Sequence, residues 1–137
     1  MTIAETVATM SHAKRLQVGA IVVKDDRVIS MGYNGMPSGW ENTCEDIVQH
    51  SDDTTSLKTK PEVLHAESNA IAKLAKSNDS GNGADIFITH APCIECAKLI
   101  YQSGISRVWY GASYRSNDGI NFLKTSGIAV EQIEKGQ

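Results

Sequence analysis

Two short motifs limit the folds open to this chain: H-A-E at residues 65–67 and P-C-I-E-C at residues 92–96. Together they offer one imidazole and two thiolates, which fill three corners of a zinc tetrahedron and leave the fourth for water. An open fourth position distinguishes a catalytic zinc site from a closed structural one, and zinc lowers the pKa of a bound water to about 7. The motifs therefore predict one catalytic zinc ion per chain, held by His65, Cys93 and Cys96.

Glu67 follows the predicted histidine ligand by two residues and would close the open position if it bound zinc. We interpret it instead as the catalytic group that transfers protons. The alternatives are a structural histidine, a redox C-x-x-C pair, or half of a closed zinc site. No other thioredoxin-like pattern is visible, and both motifs open predicted helices, whose N-termini favour negative charge. These observations favour the catalytic interpretation.

The length and charge of the chain narrow the class of partner. The 137 residues suit a single domain over 1–137, and the net charge of -3 argues against a basic groove for polynucleotides. We therefore expect a small nucleotide as the partner, with no polynucleotide.

No apolar stretch approaches the roughly 20 residues of a membrane span, so no membrane association is expected. The unpaired Cys44 suits a reducing compartment, so we expect a cytoplasmic protein, or one in the host cytoplasm if the source is viral.

Hydrophobic periodicity predicts an α/β fold. Helices are expected at 2–14, 64–76, 93–102 and 117–126, and strands at 18–23, 27–33, 86–89, 106–111 and 128–133. Residues 34–62 are polar and are expected to form an irregular loop with a binding or regulatory role. The order of the elements predicts a mixed five-stranded sheet with helices on both faces and a site at the strand ends.

Four segments carry a family resemblance: Q-V-G-A at 17–20, G-Y-N-G-M-P-S-G at 32–39, H-A-E-S-N-A-I at 65–71 and P-C-I-E-C-A-K at 92–98. The H-x-E…P-C-x-x-C arrangement is the signature of zinc nucleobase deaminases. The segments together resemble deoxycytidylate (dCMP) deaminases over about residues 10–130. The resemblance implies a three-layer α/β/α cytidine-deaminase-like fold. It also implies zinc-dependent hydrolysis of dCMP to dUMP and ammonia, which supplies the thymidylate pathway.

The resemblance also suggests which residues bind the substrate. In the wider family an asparagine at the end of the second strand faces the sugar, and the carboxamide of Asn34 can both accept and donate hydrogen bonds. The alternative is a turn residue in an Asn-Gly pair. The backbone around Ala66 and Pro92 suits the amino group and the edge of the pyrimidine.

Phosphate recognition has several candidates. Asn69 lies on the same helical face as the predicted histidine ligand, and Lys73, Lys76 and Arg115 are candidate cations. The alternative for each of these three residues is a charged surface side chain that contacts solvent and binds no phosphate. Tyr114 is a candidate to cover the base, and the alternative for it is a core or interface aromatic.

The family resemblance further implies activation by dCTP, inhibition by dTTP and a hexameric assembly. Backbone N–H groups of the glycine-rich loop after Asn34 suit phosphates, and the nearby acidic residues Glu41, Glu45 and Asp46 suit the Mg²⁺ ion of a triphosphate. The predicted allosteric nucleotide site comprises Gly35, Pro37, Ser38, Gly39, Glu41 and Asn42. The alternative is a loop that leaves the hairpin and binds no ligand.

Four further alternatives follow from the same residues. Cys44 and His50 are available for a second, structural zinc ion, but no complete set of ligands is evident and we expect none. A deaminase of free cytidine would not require the phosphate. An editing deaminase acting on tRNA or another polynucleotide is disfavoured by the acidic charge balance. A zinc-stabilised binding module would hold the metal without releasing ammonia.

Overall fold

The computed structural model describes residues 1–133 and contains alternating helices and strands. In chain order the elements are α1 (Thr2–Ala8), β1 (Gly19–Lys24), β2 (Arg27–Tyr33), β3 (Glu45–Gln49), β4 (Thr55–Thr59), α2 (Ala66–Ala75), β5 (Asp85–His90), α3 (Ile94–Gln102), β6 (Arg107–Ala112), α4 (Asp118–Thr125) and β7 (Ala129–Gln132). Among the helices described, none is both long and apolar enough to cross a bilayer.

The predicted mixed sheet is confirmed, with strand order β2-β1-β5-β6-β7. Strand β1 pairs antiparallel with both β2 and β5, whereas β5, β6 and β7 run parallel. The carboxyl ends of β5 and β6 therefore meet at one edge, which in α/β sheets is the usual place for a ligand. Strands β3 and β4 form a separate two-stranded sheet.

Helices cover both faces of the sheet, so the three-layer arrangement is confirmed. On one face Ile21 packs with Ala4 and Val7 of α1. On the other face Val22 belongs to the main core, which includes Ala70 of α2 and residues of α3 and α4. Because β1 is covered on both sides, its sequence is apolar from Gly19 to Val23 and does not alternate with polar residues.

Two predicted elements differ from the structure. Residues 34–62 contain the β3–β4 hairpin, so the expectation of an irregular loop is wrong. All five residues of β4 are exposed and Ile47 of β3 is 76% exposed, so the hairpin lacks the alternation that marks a half-buried strand. The first helix ends at Ala8 instead of residue 14, because the chain turns where Ser11 donates a hydrogen bond to the carbonyl of Asn34, at 2.7 Å.

Close backbone contacts fix the helices that carry the motifs. A Cβ atom on Gly32 of β2 would lie 2.4 Å from the carbonyl oxygen of Ala66, at the start of α2. A Cβ atom on Gly119 of α4 would lie 2.2 Å from the carbonyl oxygen of Pro92. Glycine at these two positions therefore lets α2 and the turn before α3 pack directly against backbone.

Candidate active site

The two sequence motifs lie at the N-terminal ends of neighbouring helices. His65 is the N-cap residue of α2 and Cys93 is the N-cap residue of α3, both with extended backbone. Pro92 fixes the backbone that leads into α3, and Cys96 lies in its first turn. The prediction that each motif opens a helix is confirmed, and the two helix N-termini converge on one point.

The donor atoms of the predicted ligands form a compact triangle. The Nδ1 atom of His65 lies 3.5 Å from the Sγ atom of Cys93 and 3.4 Å from the Sγ atom of Cys96. All three donor atoms lie within 4.8 Å of one another. Zinc–sulfur bonds of about 2.3 Å and zinc–nitrogen bonds of about 2.0–2.1 Å in a tetrahedron require a sulfur–nitrogen separation of about 3.6 Å. The triangle therefore fits a zinc ion.

The ionisation of these groups also suits a cation. The hydrogen bond from the Cys96 thiol is the main factor that lowers the pKa of Cys93 to about 4, and the imidazole of His65 lowers it further. The same hydrogen bond, together with burial, raises the pKa of Cys96. The hydrogen bond with Cys93 raises the pKa of His65. The three groups share protons that a bound metal ion would displace.

Glu67 lies beside the triangle but is not a member of it. It occupies the first turn of α2 and is only 4% exposed. Burial raises the pKa of its carboxyl group to about 7, although the nearby imidazole of His65 partly opposes this. A carboxyl group with a pKa near neutrality can both accept and release a proton under ordinary conditions.

A cavity of about 490 Å³ lies in front of this cluster and includes His65, Glu67 and Cys93 in its wall. Its other polar wall residues come from the loop before β1, the ends of β2, β5 and β6, and the β3–β4 hairpin: Arg15, Asn34, Glu45, Thr59, His90, Ser113, Tyr114 and Arg115. The volume suits a ligand of nucleotide size.

Asn34 lies on the wall of the cavity, as expected for a sugar-binding residue. Its Oδ1 atom accepts a hydrogen bond from the backbone N–H of Val18, and its Nδ2 atom donates one to the carbonyl of Leu16, both at 2.8 Å. The side chain therefore braces the loop before β1 and retains one lone pair and one hydrogen for a ligand. Its contact with a substrate stays a prediction.

The other predicted substrate residues fall in different places. Ala66 and Tyr114 lie on the cavity wall. Pro92 is buried behind the wall, and Asn69 lies in another depression, where it donates a hydrogen bond to the carbonyl of Tyr33 at 2.8 Å. Asn69 is displaced because α2 turns its side chain toward the end of β2 and away from the cavity.

A second depression, of about 610 Å³, collects most of the residues predicted to bind an allosteric nucleotide. Its wall includes Gly35, Pro37, Ser38, Gly39, Asn42, Asn69, Lys73 and Lys76. The two lysines that were candidates for substrate phosphate therefore lie beside the glycine-rich loop. Glu41 is absent from this wall and accepts a hydrogen bond from Thr43 at 3.0 Å.

Glu45 has a structural role that the sequence did not indicate, because it holds the loop before β1. It is 6% exposed, and its Oε1 atom accepts hydrogen bonds from the backbone N–H groups of Lys14 and Arg15, at 2.7 and 3.1 Å. Asp46 pairs with Lys60 at 3.5 Å. Because both acidic groups already have partners, they do not support the predicted magnesium site. A contact between residues 31 positions apart leaves no local sequence signal.

Comparisons with known proteins agree with this geometry. Residues 1–112 match the family described as "Cytidine and deoxycytidylate deaminase zinc-binding region". The chain is 37% identical to ComE operon protein 2 of Bacillus subtilis over 93% of this chain and 66% of that protein. It is 34% identical to deoxycytidylate deaminase of Saccharomyces cerevisiae over 97% of this chain and 43% of that protein. The chain thus spans less than two thirds of the length of either relative.

A solved structure matches along nearly its full length. It is the crystal structure of a dCMP deaminase from cyanophage S-TIM5 in complex with dCMP and dUMP. The alignment has a TM-score of 0.85 and 43% sequence identity, and covers 96% of this chain and 92% of the phage chain.

Proposed function

Because this chain belongs to the family of cytidine and deoxycytidylate deaminases, we propose that it hydrolyses dCMP to dUMP and ammonia and so supplies dUMP for thymidylate synthesis. The observation that carries the proposal is the triangle of His65, Cys93 and Cys96 beside the buried carboxyl group of Glu67, all at one cavity. The similarity to the phage protein, which was crystallised with dCMP and dUMP, supports the choice of substrate.

The residues of the site have separate roles in the proposed reaction. Zinc, when held by the imidazole and the two thiolates, supplies a Lewis acid that makes water nucleophilic at neutral pH. Glu67 accepts a proton from the attacking water and delivers it to N3 of the cytosine ring as the C4–O bond forms. A second proton passes from the hydroxyl oxygen to the amino group. The C4–N4 bond then breaks, ammonia leaves and the oxygen remains as the C4 carbonyl of dUMP.

The cavity wall supplies groups that would orient the substrate. Asn34 offers its remaining lone pair and hydrogen to a sugar hydroxyl. The backbone at Ala66 suits the base edge and Tyr114 covers the base, whereas Pro92 lies behind the wall with its carbonyl oxygen against Gly119. Orientation of this kind accelerates reactions because it removes the entropic cost of alignment in the transition state.

Ammonia release tests the proposal directly. The zinc-loaded protein is incubated with dCMP, deoxycytidine, dCTP and a cytosine-containing oligonucleotide. We expect rapid release from dCMP and much slower release from the others. Preference for deoxycytidine would indicate a nucleoside deaminase, and preference for the oligonucleotide an editing enzyme. Bound zinc without ammonia release from any substrate would indicate a binding module.

We further propose that dCTP activates and dTTP inhibits the enzyme at the second depression, within a homohexamer. The depression combines the loop backbone at Ser38 and Gly39 with the cations Lys73 and Lys76, an arrangement suited to the phosphates of a nucleotide. It is separate from the cavity of the proposed zinc ligands, although α2 contributes residues to both. Coupling between the two sites is reciprocal, so dCMP must alter effector affinity by the same factor.

Kinetics test this regulation. We expect a sigmoidal dependence of rate on dCMP that becomes hyperbolic with dCTP and is suppressed by dTTP. Lys76→Ala should weaken the dCTP response, whereas Lys98→Ala, which alters an exposed lysine of α3, should retain it. Insensitivity of the wild-type enzyme to both nucleotides would contradict the regulatory proposal and leave the catalytic one intact. Light scattering tests the hexamer.

A further inference from the structure

His90 ends β5 on the wall of the active-site cavity and takes no part in the chemistry described above. Its Nδ1 atom lies 2.8 Å from the hydroxyl oxygen of Thr89. That hydroxyl oxygen also accepts a hydrogen bond from the backbone N–H of Gly19 in the neighbouring strand β1, at 3.1 Å. Thr89 is 8% exposed, so its hydroxyl group has little access to water.

These contacts fix which ring nitrogen of His90 carries the hydrogen. Within residues 1–133, the Thr89 hydroxyl has no acceptor other than Nδ1. If it accepted from Nδ1, its own buried hydrogen would be left without a partner, which is costly. The satisfied arrangement has the hydroxyl donating to Nδ1, so the hydrogen of the imidazole lies on Nε2. Burial lowers the pKa of His90, which favours this neutral form.

The Nε2–H group therefore has no protein partner among the described residues, and His90 is one of the residues that line the cavity. His90 pairs with Ala112 in the parallel register of β5 and β6. The chain continues from there through Ser113 and Arg115, which line the same cavity. A hydroxyl group and a guanidinium group thus accompany the imidazole donor at one edge of the sheet.

The charges of the cavity wall favour an anion. Arg15 and Arg115 contribute cations, and neither forms a salt bridge with a described residue. The acidic wall residues are Glu67, beside the metal ligands, and Glu45, which already accepts two backbone N–H groups. Phosphate is recognised by such a combination of guanidinium, hydroxyl and N–H donors.

We propose that His90 donates its Nε2–H group to the 5′-phosphate of the nucleotide substrate, with Thr89 as the positioning residue that sets the imidazole tautomer. This inference rests on the proposed function and assigns a residue that distinguishes the nucleotide from the nucleoside. A hydrogen bond to a charged group contributes about 1.5–3 kcal/mol, which corresponds to roughly a 10- to 150-fold change in affinity.

Product binding tests the proposal without turnover. Calorimetry on the zinc-loaded protein compares dUMP with deoxyuridine, which lacks the phosphate. His90→Phe keeps an aromatic ring but removes the donor, so we expect dUMP affinity to fall about 10-fold or more while deoxyuridine affinity is unchanged. Equal losses for both ligands, or no loss for dUMP, would overturn the proposal. The proposal would also be overturned if the wild-type protein bound dUMP and deoxyuridine with equal affinity, whatever its deaminase activity.

The tautomer is tested separately. Nitrogen NMR of the wild-type protein should show His90 Nε2 protonated and Nδ1 unprotonated. Thr89→Val should abolish the preference for the hydrogen on Nε2 and weaken dUMP binding. Thr89→Ser retains the hydroxyl group and should therefore keep both the tautomer and the affinity for dUMP. If Thr89→Val does not fold, the wild-type spectrum and His90→Phe still decide the question. A hydrogen on Nδ1 in the wild type would refute the role of Thr89. Failure of the wild type to release ammonia from dCMP would refute only the proposed reaction.

Discussion

Cys44, Cys93 and Cys96 carry the same thiol group in different surroundings. Cys44 directly precedes β3 and is 1% exposed, and this burial raises its pKa; its Sγ atom lies 3.4 Å from the carbonyl oxygen of Asn42. Cys93 is partly exposed at the cavity and has a lowered pKa. Reactivity follows the thiolate and its accessibility, so these cysteines should respond differently to a thiol reagent.

We predict a stepwise pattern of thiol modification. The zinc-loaded protein should resist alkylation at all three cysteines, and a chelator should expose Cys93, whereas the buried Cys44 and Cys96 stay protected. Denaturant should then make both buried cysteines reactive. Mass spectrometry counts the modified thiols at each stage. Modification of Cys44 before Cys93 in the chelated protein would contradict the assignment of the metal ligands.

Single residues differed in how well the sequence predicted them. His65, Glu67, Cys93 and Cys96 belong to two short motifs at helix starts, so local spacing was enough to bring their side chains to one place. Glu45 was not predicted to cap the loop before β1, because that contact joins distant segments. His90 and Thr89 were also missed, since a strand end without neighbouring charge carries no local signal.

The packing of β2 against α2 determines where His65, the proposed zinc ligand, lies. Gly32→Ala would place a Cβ atom 2.4 Å from backbone of α2, so strand and helix must separate. We predict destabilisation of roughly 1–3 kcal/mol, as for other overpacked cores, together with reduced zinc affinity. Thermal unfolding and zinc titration measure the two effects.

Gly35→Ala is the matched control for this prediction. A Cβ atom at this position meets nothing within 4 Å, and the residue is not among those with positive φ. Its stability should therefore stay within about 0.5 kcal/mol of the wild type. Equal effects of the two substitutions would show that the close approach of β2 and α2 does not govern the site.

The β3–β4 hairpin is joined to the cavity wall through Glu45. Glu45→Ala removes the acceptor for two backbone N–H groups, so we predict a loss of about 2 kcal/mol in unfolding free energy. The loop carrying Arg15 should also become more mobile, which raises KM for dCMP. Glu41→Ala, at an exposed residue whose only described contact is with Thr43, should change neither quantity. Denaturant unfolding and steady-state kinetics test both variants.

The elements of the sheet were largely predictable and the hairpin was not. Strands β1, β2, β5 and β6 have apolar residues that the core buries, and the turn at Asp25 and Asp26 gave the first hairpin its position. Strands β3 and β4 have little buried surface, so their pairing is held by backbone hydrogen bonds that hydrophobic periodicity does not reveal.

The arrangement of layers in the whole molecule explains why one cavity collects the active-site groups. Helices α2 and α3 pack on the same face of the sheet, and their N-terminal ends meet at the edge where β5 and β6 end. The proposed zinc ligands, proton carrier and phosphate donors therefore come from different elements that share one edge. The mixed sheet with helices on both faces was predicted from element order, because right-handed crossovers leave few alternatives for such an order.

The central claim is that Glu67 transfers protons beside a zinc ion that it does not bind. The most direct measurement is zinc content and ammonia release from dCMP on the same samples of Glu67→Gln, Cys93→Ser and wild type. We predict that Glu67→Gln retains one zinc ion per chain and loses about 10²- to 10⁴-fold in kcat, whereas Cys93→Ser loses the metal. Full activity of Glu67→Gln, or loss of its zinc, would contradict the account.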